Sequence, residues 1–131
     1  MPVILASNAM LIQKNYVYVI PADADLFIEK ESFKVVSPRT RKNVQIDLFF
    51  TSLAEARGTH AIGIVLSGYD GDGTEGCKHI KAKGGVTFAQ DSSAEVNDMP
   101  LSAQSAGVID FVLPPDKISY ALKRLVISVA A

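Results

Sequence analysis

Little in this chain is present in excess. Of 131 residues one is cysteine, Cys77, and none is tryptophan. A single thiol excludes an internal disulfide and fits a reducing compartment. Lys and Arg number 13 against 14 Asp and Glu, a net charge of -1, with a pI near 6.1. That balance leaves no electrostatic footprint for nucleic acid or an anionic membrane surface. Arg39, Arg41 and Lys42 form only a small basic cluster and read as a solvated loop. No stretch approaches the roughly 20 apolar residues of a membrane span. Met1-Pro2-Val3 shows no basic leader of a signal peptide. The expectation is a cytoplasmic protein without membrane insertion. Repeats, linkers and low-complexity segments are also missing. Hydrophobic residues, at 48%, are plentiful enough for one domain to build a core without staples.

The first third reads as short strands. Val3-Ile4-Leu5 is one, and Tyr16 to Ile20 is a stronger one stopped by Pro21. Leu26 to Glu29 and Phe33 to Val36 flank Lys30-Glu31-Ser32 as a hairpin. Ile46, Phe49, Phe50, Leu53 and Ala54 have the spacing of an amphipathic helix ending at Gly58. From Ile62 onward strand and helix alternate. Strands are predicted at Ile62–Leu66, Val86–Ala89 and Phe111–Leu113, and helices at Thr74–Lys83, Pro100–Ala106 and Asp116–Val129. The last helix carries Ile118, Ala121, Leu122, Leu125 and Val129 on one face. Tyr16, Tyr18, Phe49, Phe50, Phe88 and Phe111 are expected in the core. The predicted fold is α/β, a three-layer αβα arrangement with a mostly parallel sheet and an N-terminal antiparallel hairpin.

Chemistry concentrates in the loop after the strand at Ile62. Ser67-Gly68-Tyr69-Asp70-Gly71-Asp72-Gly73-Thr74-Glu75-Gly76 interleaves four glycines with three carboxylates. In open α/β sheets, ligands gather where loops leave the carboxyl ends of strands. Gly71 to Gly76 is a literal G-x-G-x-x-G, and Asp91 stands where a ribose-binding acid belongs. Asp70, Asp72 and Glu75 oppose that dinucleotide reading, because they would surround a bound pyrophosphate with negative charge. Such repulsion is about 4 kcal/mol per pair at about 4 Å and an effective dielectric near 20. A helix N-terminus returns only roughly half a positive charge. A calcium loop fails: with Asp70 and Asp72 as its first two ligands, Glu75 falls where glycine is needed and Lys81 where glutamate is needed. No metal or cofactor is implied. Asp72 could orient a histidine, the third role in a Ser-His-Asp triad. It could equally cap a helix or close an Asx turn. The loop by itself leaves both readings open.

The run Leu66-Ser67-Gly68-Tyr69-Asp70-Gly71-Asp72-Gly73 resembles the catalytic domain of CheB-type protein-glutamate methylesterases, which hydrolyse methyl esters on chemotaxis-receptor glutamates. Further matches follow in order: Lys81 to Gly85, Ala89-Gln90-Asp91, Met99-Pro100 with Ser102-Ala103, and Gly107 to Pro114. Upstream, Val17 to Pro21 and Ile46-Asp47-Leu48-Phe49-Phe50 with Ser52-Leu53-Ala54 also resemble the family. The resemblance spans nearly the whole chain. It implies that Asp72 is the triad aspartate. It places Tyr69 and Gly71 near the oxyanion hole, with the Tyr69 amide as a donor, and Met99 and Pro100 along the cleft. Asp70 departs from the family's usual glycine, a residue that permits positive φ.

The family's nucleophilic serine and its histidine have no counterpart in these residues. No Gly-x-Ser-x-Gly occurs. His60 and His79 read as surface histidines, and a hydroxyl without a base is a poor nucleophile. Cys77, near three carboxylates, reads as a small packed residue. The resemblance therefore implies that residues 1–131 are one domain, a truncated methylesterase catalytic domain lacking the serine and histidine segment and inactive alone. Its implied partners are a methyl-accepting chemotaxis receptor and a receiver domain or another chain supplying the missing elements. Uncovered sheet surface makes a homo-oligomer the expected state. The rival from another class is a non-catalytic, partner-binding half-domain.

Overall fold

The computed structural model describes residues 1–130, with side chains through Leu125. Strands β1 (Val3–Leu5) and β2 (Val17–Val19) lead to a hairpin, β3 (Asp25–Glu29) and β4 (Ser32–Val36). Helix α1 (Gln45–Arg57) follows. Then strand and helix alternate: β5 (Ile62–Val65), α2 (Thr74–Ala82), β6 (Val86–Gln90), α3 (Asp98–Ser105), β7 (Phe111–Leu113) and α4 (Pro115–Ala130). The fold is mixed α/β, with the expected parallel sheet, β5-β6-β7, and the expected antiparallel hairpin. Element bounds match the sequence-based ones to within two residues, except for a 3₁₀ turn at Gly58–His60. The Val129 side chain lies outside the described residues. Among the described residues, no helix is long and apolar enough to cross a membrane.

β1 and β2 form a separate parallel ladder, pairing Val3 with Val17 and Leu5 with Val19. A ladder of two strands has an inner and an outer face, because side chains alternate. Tyr18 faces inward and joins the cluster around Ala6, Leu26 and Phe33. Val3, Leu5, Val17 and Val19 face outward, with Val3 65% and Leu5 62% exposed. Of the six aromatics expected in the core, Phe88 is buried, and Tyr18, Phe49 and Phe50 are half-buried against the two core clusters. Tyr16, just before β2, and Phe111, on the short strand β7, lie at the surface.

α1 joins the two halves. Phe49 packs into the N-terminal cluster, while Phe50 and Leu53 pack with Ala54, Ala61 and Ile80 under the parallel sheet. α1 crosses α2 at Gly76. A Cβ there would stand 2.5 Å from the Phe50 Cβ and 3.2 Å from the Asp47 Cα, so only glycine admits this crossing. Overpacking of this kind costs about 1–3 kcal/mol.

Asp25 ties the polar loop before α1 to β3. Its carboxylate, 1% exposed, accepts the Thr40 amide at 3.1 Å, the Thr40 hydroxyl at 3.0 Å and the Gln45 side-chain amide at 3.1 Å. Burial pushes this carboxyl up, but the Thr40 and Gln45 bonds, with the Arg39 charge, outweigh it and hold it below its ordinary 3.8. A carboxyl lowered in the folded state stabilises the fold above its unfolded pKa, and that contribution disappears as pH falls through the folded value. Asp25→Asn should therefore lower the urea midpoint at neutral pH. It should also flatten the loss of stability on acidification below pH 3.8, measured as the urea midpoint against pH.

Candidate active site

The glycine-rich loop leaves β5 at Leu66 and enters α2 at Thr74. One side is fastened to the segment between β6 and α3. The Ser67 amide donates to the Gln90 side-chain carbonyl at 2.9 Å, and the Ser67 hydroxyl accepts the Val96 amide at 2.9 Å. Gly68 donates to Val96 at 3.0 Å and accepts from Met99 at 3.1 Å. The Met99 sulfur lies so close over Gly68 that any Cβ would collide with it. Pro100 is buried beneath, and the Thr74 and Ser102 hydroxyls share a hydrogen bond of 2.7 Å beside Gly71. Gly68, Gly71, Met99 and Pro100 therefore meet along one seam, with Tyr69 at its tip, 74% exposed. Among the described residues no acceptor meets the Tyr69 amide. Asp70 takes the backbone conformation usually left to glycine, φ 62°, and its carboxylate accepts the Asp72 amide at 2.8 Å. Asp tolerates the left-handed region for this reason: its short side chain bonds locally. The Asx turn belongs to Asp70.

The other side of the loop turns toward α1. Helix ends leave their first amides unpaired, and neither α1 nor α2 has a side-chain cap of its own. Each is capped by the other. The Asp72 carboxylate accepts the Ile46 amide at 3.0 Å on Oδ2 and the Asp47 amide at 2.9 Å on Oδ1. In return, Asp47 Oδ1 accepts the Gly73 amide at 2.9 Å and the Gly76 amide at 2.8 Å. Asp72 thus does cap a helix, the one before it in sequence. Asp72 is 8% exposed. Burial raises the Asp47 carboxyl above its ordinary 3.8; the Gly76 and Gly73 amides pull it down without cancelling that, and the Asp72 charge adds to the rise.

This clasp decides two earlier questions. The Gly73 and Gly76 amides, which a pyrophosphate would need, already hold a built-in anion, the Asp47 carboxylate. Asp91 is turned back on its own loop, accepting the Ser93 amide at 3.0 Å. The dinucleotide pattern is therefore self-occupied. Cys77 is fully buried, and burial first, then the Asp47 charge, push its thiol from 9.0 up to about 12. The opposing carboxylate comes from α1, not from the glycine loop. Both histidines are exposed, and neither bonds Asp72. Among the described residues, no three His, Cys, Asp or Glu side chains converge as metal ligands do. Sequence reasoning passed over Asp47. Its signal was an acid in the first turn of a predicted helix, where a carboxylate favours unpaired amides.

Strand–loop–helix units in a parallel sheet, with a glycine-rich loop and a held carboxylate after β5, define an α/β domain whose candidate site lies beyond the carboxyl end of a strand. The family described as CheB methylesterase matches residues 1–122, and the chain belongs to that family. It is 32% identical over 130 residues to the protein-glutamate methylesterase/protein-glutamine glutaminase 1 of Geobacter sulfurreducens, covering 92% of this chain and 36% of that protein. It is 36% identical over 121 residues to a 104.1 kDa protein in the hypE 3′ region of Rhodobacter capsulatus, covering 90% of this chain and 13% of that one. The crystal structure of the Thermotoga maritima CheB methylesterase catalytic domain superposes with a TM-score of 0.86 at 29% identity, covering 92% of this chain and 67% of that domain. The chain thus spans a minor part of these full-length relatives and about two thirds of the solved domain.

The buried thiol gives a direct check. At pH 8 a thiol raised to about 12 is roughly one part in ten thousand thiolate. Cys77 should stay unlabelled by a disulfide reagent in the folded chain and react at once in 6 M guanidinium, about 6 M being enough to unfold most domains. Fast labelling of the native chain would place the thiol in solvent.

Proposed function

We propose that this chain is the aspartate-bearing part of a serine esterase domain that hydrolyses glutamyl methyl esters on chemotaxis receptors. The carrying observation is the Asp72 carboxylate, buried in the loop between β5 and α2 and fixed by two amides within a CheB-family fold. An ionised carboxylate has about four acceptor positions. The two α1 amides use one on each oxygen, and in this reading one of the others receives an imidazole N–H. In this reading Asp72 selects the histidine tautomer and stabilises the imidazolium formed when the serine attacks the ester carbonyl. The amides at Tyr69 and Gly71 receive the developing oxyanion, and Met99 and Pro100 wall the cleft. Methanol leaves, and water releases the glutamate from the acyl-enzyme. The same steps on a glutamine side chain release ammonia, the second activity in the name of the Geobacter relative. The serine and histidine come from residues other than these 131, in the same polypeptide or another, as does any receiver domain.

Alone, the chain should release no methanol from a methylated receptor above background, because it holds neither the motif serine nor its base. Turnover that disappears on Asp72→Asn would reveal a nucleophile within it. Joined to the part of the Thermotoga maritima domain that it leaves unmatched, it should gain turnover, and Asp72→Asn should lower kcat by about ten-thousandfold. An active joined protein indifferent to Asp72→Asn would sink this reading.

The exposed outer face of the β1–β2 ladder favours association as well. Burial is worth about 25 cal/mol per Å², so a patch of about 400 Å² offers roughly 10 kcal/mol before association costs. The chain by itself should form a dimer or larger oligomer through Val3, Leu5, Val17 and Val19, measured by light scattering at micromolar concentration. A stable monomer of 14.0 kDa would show that the face is tolerated in water.

A further inference from the structure

Asp72 is flanked by Gly71 and Gly73, the residue type that gives a backbone most freedom. A carboxylate on such a segment keeps one orientation only if something outside the segment holds it. Asp70 holds the N-terminal side through the Asp72 amide, at 2.8 Å. Asp47 holds the C-terminal side, and does so twice over. Its side chain accepts the Gly73 amide, the peptide next to Asp72, at 2.9 Å, and the Gly76 amide one turn later at 2.8 Å. Its own amide donates to Asp72 Oδ1 at 2.9 Å.

We infer that Asp47 is the positioning residue of this site, fixing the Asp72 carboxylate from both ends of one residue. The inference rests on the reading of Asp72 as the triad acid. The arrangement brings two carboxylates together, which is unfavourable unless each is well hydrogen-bonded. It persists because four helix-terminal amides are satisfied by the pair. An asparagine at 47 would keep the acceptor oxygen and replace the like charge facing Asp72 with an amide donor. A glutamate would keep the charge and carry the oxygen about one methylene too far.

The test is amide hydrogen exchange of the 131-residue chain by NMR, read at Ile46, whose amide is bonded to Asp72 Oδ2. The Ala89 amide, within β6, reports the integrity of the fold. Asp47→Ala and Asp47→Glu should speed exchange at Ile46 by about tenfold or more, the scale of a lost bond to a charged group. Exchange at Ala89 should stay unchanged. Asp47→Asn should stay within about threefold of the unmodified chain. If the alanine variant does not fold, the glutamate and asparagine variants decide. Ile46 exchange unmoved by Asp47→Glu, or accelerated as much by Asp47→Asn, overturns the proposal. In the joined protein described above, Asp47→Glu should lower kcat about a hundredfold, the cost of misplacing a catalytic group by about 1 Å, with KM within about threefold. Loss of turnover with Asp72→Asn but not with Asp47→Glu sinks the Asp47 proposal alone. Loss with neither sinks the reading of Asp72.

Discussion

The mutual capping of α1 and α2 is the contact on which the rest of the structure depends. Neither helix starts with a residue that can satisfy its own first amides: α1 begins after Val44 and α2 after Gly73. A missing cap costs about 0.5–2 kcal/mol. Asp72 and Asp47 remove both deficits at once: Asp72, in the loop before α2, reaches the start of α1, and Asp47, on α1, reaches the start of α2. Two carboxylates thereby come to lie side by side. Burial first, and then the Asp72 charge, raise the Asp47 carboxyl, and the Asp47 charge adds to the burial that raises the Cys77 thiol. The crossing at Gly76 belongs to the same joint, since any larger residue would push Asp47 away from the amides it holds.

This joint also occupies the loop amides that an external anion would use. A glycine-rich turn before a helix is commonly an anion site. Here the anion is part of the chain. The loop is consequently rigid on its α1 side, where Asp72 is held, and fastened on its α3 side, where Gly68 and Met99 touch. Leu66, Ser67 and the tip from Tyr69 to Gly71 reach solvent. The Asp72 carboxylate is thus held in one direction, while the Tyr69 amide meets no acceptor among the described residues.

The two core clusters are joined mainly through α1, whose Phe49 and Phe50 point to different partners. A cleft of about 250 Å³ opens between them, lined by Tyr18, Ile46, Phe49 and Phe50 among others. Parallel sheets are normally covered on both faces. The apolar outer face of the β1–β2 ladder and the exposed side of β7 depart from that rule. The departure is consistent with a chain that covers about two thirds of the solved CheB domain it matches.

Local pattern was enough to determine much of this protein. The apolar run at Ile62 to Val65, the spacing of Phe49, Phe50, Leu53 and Ala54, and the glycine at 58 placed a strand, a helix and its end. These features rest on neighbours in sequence. The string Ser67 to Gly73 likewise marked the loop where chemistry belongs. Tertiary structure alone decided which amides each carboxylate serves. Asp72 and Asp47 are 25 residues apart, and no local rule says that the acid beside one helix will cap another. The exposure of Tyr16 and Phe111 was equally out of reach, because an aromatic side chain has the same local pattern whether its side of the sheet is covered or open. Hydrogen bonds across the fold and the covering of a face depend on which elements meet in space, and only the packed chain specifies that.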